Sequence, residues 1–324
     1  MTPRDADKGL PTPPATPLLR RLKHKWAQLP ANVHGIMWAL VATLLFTVMA
    51  ALVKALGERL HVTQVLTIRQ FLMAAISAPA ITRGLPGSLK TRAPLLHLAR
   101  TGLASGAMFM GFSAVIELPL ADSTVLGFAR TFFMTLFAIV LLKEVVGIHR
   151  WAATIIGFIG VVIIMQPTGE AGFNIYSLMA VTASACAALV AIILRRVTQV
   201  DQPITILTYQ AVSIGFIMLP FCIYYWQPLT MMDVILLGAL GCVSWSAQMC
   251  NIRALREGEA AVIAPFDYTR IVYASFISIL FFGVWPSLTT YIGASIIIAA
   301  SLYTMHRESV RGKRQAVAPE DKAP

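Results

Sequence analysis

Charge is scarce in this 324-residue sequence: Asp, Glu, Lys and Arg together make up 13%, against 57% apolar residues. A soluble domain carries about 25% charge, and so little of it could not cover a globular surface. The shortfall excludes a water-soluble enzyme and a disordered chain alike. Acids are scarcer than bases, 15 against 26, which leaves a net charge of +11. Cysteine is also rare. Cys186, Cys222, Cys242 and Cys250 sit inside apolar runs without CxxC spacing, as small core residues do and as metal or disulfide ligands do not. The six histidines, His24, His34, His61, His97, His149 and His306, show no metal-ligand spacing, and HExxH, GxSxG and P-loop motifs are missing. No RNP, zinc-finger or basic-zipper pattern accompanies the positive charge. The sequence therefore predicts neither an enzyme, nor a cofactor or metal site, nor a nucleic-acid partner.

What it has instead is apolar runs of about 20 residues, the length an α-helix needs to cross a hydrocarbon layer. They fall at 34–57, 64–82, 94–116, 120–142, 149–167, 174–196, 204–226, 230–253, 259–282 and 287–306. Residues 1–32 read as a Pro-rich, basic, flexible tail without the apolar core and cleavage site of a signal peptide. The expected fold class is an all-α membrane protein of ten transmembrane helices. Of the 26 Lys and Arg, 21 are counted with the tails and one set of connections (Arg100, at the edge of its apolar run, among them), 2 (Lys54 and Arg59) with the opposite set, and 3 (Arg69, Arg130 and Arg270) within spans. That asymmetry predicts a multi-pass protein of the cell inner membrane with both termini cytoplasmic. Trp151, Trp226 and Trp285 fall where span ends should meet headgroups.

Sliding the sequence against itself by 140 residues sets Gln70 on Gln210, Glu117 on Glu257 and Arg130 on Arg270. The pattern predicts two five-helix repeats, at 33–168 and 173–307, followed by a C-terminal tail at 308–324. An odd number of spans per repeat inverts one half relative to the other, an arrangement that secondary transporters use to build two conformations around a midplane site.

The segment Leu141-Leu142-Lys143-Glu144-Val145-Val146-Gly147-Ile148-His149-Arg150-Trp151, then Gly157-Phe158-Ile159-Gly160 and Gln166-Pro167, carries a resemblance. It resembles the first-half signature of the drug/metabolite transporter superfamily, EamA type. Ala264-Pro265-Phe266-Asp267-Tyr268-Thr269-Arg270, Phe282-Gly283-Val284-Trp285-Pro286 and Gly293-Ala294 resemble the second-half signature, with Val284 where the family often has an acid. The resemblance implies a ten-helix carrier of small organic metabolites with a cavity between its halves, one that works in the lipid bilayer on a small-molecule substrate.

Charge at a helix centre costs about 2.5–3.5 kcal/mol on insertion scales, so intramembrane charge marks candidate sites. Arg130 and Arg270 lie mid-span, and each guanidinium suits a carboxylate or phosphate. They are expected either to bind substrate or to serve a structural role. Asp267, three residues before Arg270 and beside the helix-breaking Pro265, is expected to couple transport to protons or to neutralise Arg270. Trp245, Gln248 and Asn251 on span eight, with Tyr268, are further substrate-binding candidates. Arg69 and Lys54 are expected to act in gating or structure. Gly102 and Gly106 form a GxxxG element suited to close helix approach. Export of the substrate, and a membrane enzyme or sensor without transport, are the alternatives.

Overall fold

A computed structural model describes residues 30–83, 91, 93–142, 148–165, 174–197, 200–201, 203–258 and 260–317, so most of the expected N-terminal tail lies outside the described residues. Among them the chain is helical, with no strand. In the first half, α1 (Ala31–Gly57), α2 (Val62–Arg83) and α3 (Pro94–Glu117) precede two short helices, α4 (Leu120–Gly127) and α5 (Arg130–Leu142), and then α6 (Ile148–Met165). The second half repeats the order with α7 (Ile175–Val197), α8 (Pro203–Tyr224) and α9 (Met231–Glu257). A four-residue α10 (Ala260–Ile263) and a 3-10 turn (Ala264–Tyr268) then lead into α11 (Thr269–Phe282) and α12 (Leu288–Val317).

Local chemistry sets several of these boundaries. Thr230 and Asp233 form a reciprocal capping box at the start of α9, each side chain accepting from the other's backbone N–H. Gly283 ends α11 at φ 63°, a left-handed conformation that glycine adopts without strain. α12 runs on as helix to Val317, well into the segment expected to be tail.

Five stretches are long and apolar enough to cross a membrane: Asn32–Gly57, Leu120–Leu141, Ile175–Leu194, Met231–Glu257 and Leu288–His306. Trp151–Met165 and Thr208–Tyr224 are shorter apolar helices. α2 and α3 are less apolar because they turn polar groups inward: Gln64, Arg69, Gln70, His97 and Arg100 are all buried. Arg100 thereby differs from its expected place in a connection. It lies inside α3, where Nη1 donates to Gln210 Oε1 at 2.9 Å and Nη2 to the Ile206 carbonyl at 3.0 Å.

Helices pair across the halves: α1 runs along α9, α3 along α7, α2 along α8 and α6 along α12. The α6–α12 crossing explains Gly160 and Gly293, one from each signature. A Cβ on Gly293 would stand 2.7 Å from the Gly160 carbonyl oxygen, so a larger residue there would force the helices apart. Gly102 and Gly106 behave differently from expectation. A Cβ on Gly102 would meet nothing within 4 Å, and one on Gly106 only Met110 of its own helix, so this GxxxG makes no close helix contact.

The bundle has two distinct ends. At the turn end, Arg59 of the α1–α2 turn pairs with Asp233 and donates to the Pro228 carbonyl, while Gln64 exchanges two hydrogen bonds with the Gln227 backbone. At the terminal end, buried His97 contacts Asp201 of the α7–α8 connection at 2.8 Å, and Thr91 donates to the same carboxylate. Trp151, Trp226 and Trp285 are exposed at or just beyond helix ends.

Candidate functional site

Two interrupted segments occupy equivalent places in the halves, and they position the charged candidates. The second was legible from Pro265, which lacks a backbone donor. It lies in the 3-10 turn that precedes α11, and Thr269 donates to the Phe266 carbonyl at 2.7 Å. The Thr269 hydroxyl also shares a 3.1 Å hydrogen bond with Thr43 of α1. The first interruption has no proline. Between α4 and α5, Phe128 and Ala129 form a tight turn, and Ser184 of α7 approaches the Leu126 and Gly127 carbonyls at 3.1 and 3.3 Å. Each break is thus held by a hydroxyl from the first helix of the opposite half. Phe128 and Tyr268, equivalent under the 140-residue shift, meet with ring centroids 4.9 Å apart.

Arg130 opens α5, and Arg270 lies in the first turn of α11. Their settings differ. Arg270 stacks on Phe46 of α1 with its guanidinium carbon 5.3 Å from the ring centroid, and it stands 3.9 Å from the Asp267 carboxylate. Its Nε is buried with no hydrogen-bond partner among the described residues. Arg130 forms neither a hydrogen bond nor an ion pair among the described residues. It is exposed, and the Asp267 carboxylate and the Arg270 guanidinium both lie close enough to act on it. Asp267 is 53% exposed. The trio carries one net positive charge, which an anionic group would balance.

Tyr268 packs against the buried Phe128 ring. Trp245, Gln248 and Asn251 do not touch the arginines. They form a half-exposed stretch of α9, and the two amides find no hydrogen-bond partner among the described residues. Arg69 is buried and ties three helices together, donating to Ser244 Oγ at 2.8 Å and Gln70 Oε1 at 2.9 Å and stacking 5.4 Å from the Phe112 ring centroid. Lys54 donates to the Ile116 and Leu118 carbonyls, both at 2.7 Å, and so caps the C-terminal end of α3.

Sequence reasoning passed over two polar contacts. Asp122, in the first turn of α4, accepts a 2.5 Å hydrogen bond from Thr290 of α12, and only its place inside an apolar span could have flagged it. The His97–Asp201 contact joins residues 104 positions apart, and no local pattern signals it. Among the described residues no group of three His, Cys, Asp or Glu side chains is placed to hold a metal ion.

The profile of the EamA-like transporter family matches residues 33–166 and 174–305. The S-adenosylmethionine uptake transporter of Rickettsia prowazekii (strain Madrid E) is 27% identical over 280 residues, covering 86% of this chain and 95% of its own. The riboflavin transporter of Vibrio cholerae serotype O1 is 27% identical over 289 residues, with 87% and 96% covered. The pseudopaline exporter CntI of Pseudomonas aeruginosa is 23% identical over 272 residues, with 83% and 94% covered. A solved crystal structure superposes with a TM-score of 0.60 at 16% identity, covering 87% of this chain and 98% of its own, a likeness of fold.

Proposed function

The chain belongs to the EamA-like transporter family, and on that premise we propose that it is a gradient-driven carrier of a small metabolite bearing a free carboxylate. It crosses the bacterial inner membrane ten times with both termini cytoplasmic, and its inverted halves alternate access to a site between the two broken spans. The carrying observation is the Arg130 guanidinium, open and unpaired among the described residues beside a loosely joined Arg270–Asp267 pair. A fork of donors held there without a protein acceptor is suited to a carboxylate.

The same trio suits an amino-acid headgroup, with the arginines taking the carboxylate and Asp267 the ammonium. Asp267 also has a proton-coupling role open to it, and its 3.9 Å contact with Arg270 supports the role of charge partner. Phe46, Phe128 and Tyr268 offer ring faces near the arginines, and the amides of Gln248 and Asn251 offer polar contacts along α9. S-Adenosylmethionine, the substrate named for the Rickettsia relatives, has an amino-acid headgroup and a planar base. Riboflavin, named for another relative, lacks a carboxylate for the arginine forks to hold. Counterflow by the purified protein in proteoliposomes, against S-adenosylmethionine, riboflavin and the amino acids, tests the reading. Exchange of carboxylate-bearing compounds that falls in Arg130→Gln supports it, and exchange of riboflavin alone, unchanged in that variant, overturns it. Export is the second reading, favoured by the exporter relative, and the direction of gradient-driven flux decides it.

A further inference from the structure

The broken span that carries Arg130 holds a second charged group, which the proposed substrate site does not use. Asp122 lies eight residues before Arg130, at the turn end of α4, and is partly buried. Thr290 donates to its Oδ1 at 2.5 Å, and Oδ2 has no hydrogen-bond partner among the described residues. Thr290 is itself buried but lies 2.8 Å from Ser287 Oγ, and Ser287 is exposed at the start of α12. Because Thr290 spends its hydrogen on Asp122, Ser287 donates to Thr290. A chain of two hydroxyls therefore leads from the surface of the turn end to the carboxylate.

Among the described residues no counter-charge holds Asp122 in place. Around α4 pack α1, α3, α6, α7, α11 and α12. On α1 and α3, Lys54 is spent on α3 carbonyls and Glu117 is exposed at a helix end. On α11, Arg270 is joined to Asp267. Tyr176 and Tyr291 stand at the turn ends of α7 and α12, while His149, Arg196 and His306 lie toward the terminal end. None of these groups acts on Asp122, whose one partner is the Thr290 hydroxyl. An unpaired carboxylate within a membrane span is costly, and such groups recur along proton paths.

We propose that Asp122 takes up and releases the coupling proton, received through Ser287 and Thr290, and that its charge controls the contact between α4 and α12. Ionised, it anchors α4 through a charge-assisted hydrogen bond. A proton that enters from water at Ser287 moves one hydrogen along the relay, from Ser287 to Thr290 and from Thr290 to Oδ1; the neutral acid then donates to Thr290 in an ordinary hydrogen bond, which loosens α4. α5, headed by Arg130, begins three residues after α4 ends, so the proton and the substrate act on one jointed span. The inference rests on the transport reading above.

The test uses the full chain reconstituted in lipid. The carboxylic-acid C=O stretch in the infrared grows as pH falls, Asp122→Asn removes that component, and Asp267→Asn leaves it. Thr290→Val deletes the one donor to the carboxylate and moves the midpoint up by about one pH unit. A component that survives Asp122→Asn, or a midpoint that Thr290→Val leaves in place, overturns the proposal. With S-adenosylmethionine and riboflavin as probes, Asp122→Asn keeps counterflow but loses at least about tenfold of the accumulation driven by a proton gradient. Loss of both makes Asp122 structural and overturns the proposal. Wild-type counterflow without gradient-driven accumulation overturns the coupling role alone, and no counterflow by the wild type across the panel overturns the transport reading with it.

Discussion

Arg130 and Arg270 hold equivalent positions in two halves of one fold, and the chain treats them differently. The second-half arginine is half-committed, stacked on Phe46 and loosely joined to Asp267. The first-half arginine forms no bond among the described residues. The breaks beneath them differ too: a proline and a 3-10 turn shape one, and a serine from the neighbouring half supports the other. An inverted repeat fixes where two groups stand, and the later divergence of their surroundings decides what each is free to do.

Four substitutions break or sharpen that contrast. Arg130→Gln should lower counterflow at least 100-fold, about 3 kcal/mol, while the melting temperature in detergent stays put because no protein bond is lost. Arg270→Lys keeps the charge but loses the planar fork over Phe46, and should cost about tenfold in counterflow with a slight drop in melting temperature. Ser184→Ala removes the hydroxyl that reaches the Leu126 and Gly127 carbonyls of the first break and should destabilise the fold by about 1 kcal/mol, read from the melting temperature, with substrate affinity unchanged. Thr43→Val should have the smallest effect, a few tenths of a kcal/mol, since Thr269 still bonds to the Phe266 carbonyl.

Much of the arrangement was legible in the sequence because hydrophobic length and a 140-residue shift are simple patterns. The shift that aligns Gln70 with Gln210 is answered by chemistry: each glutamine oxygen accepts from a buried arginine of the first half, Gln70 from Arg69 and Gln210 from Arg100. Arg100 itself was misplaced because a cation at the edge of an apolar run looks like a boundary until a partner 110 residues away appears. The break in the first half left no mark, since Phe128 and Ala129 are ordinary helix residues and the stabilising hydroxyl sits on α7. Gly102 and Gly106 imitated a packing motif, whereas the glycines that bring helices together, Gly160 and Gly293, were noticed only as parts of a family signature. Spacing along the chain shows what could meet, and which surfaces do meet depends on the opposite half.

The most direct test is chemical access to position 130. In full-length protein with its four cysteines replaced by serine or alanine, Arg130→Cys should react from water with a small charged methanethiosulfonate in lipid vesicles, and a substrate identified by counterflow should slow that reaction. A cysteine at this position that stays unmodified under conditions that label an exposed control such as Ser287→Cys would place the side chain in lipid or dry packing and contradict the account.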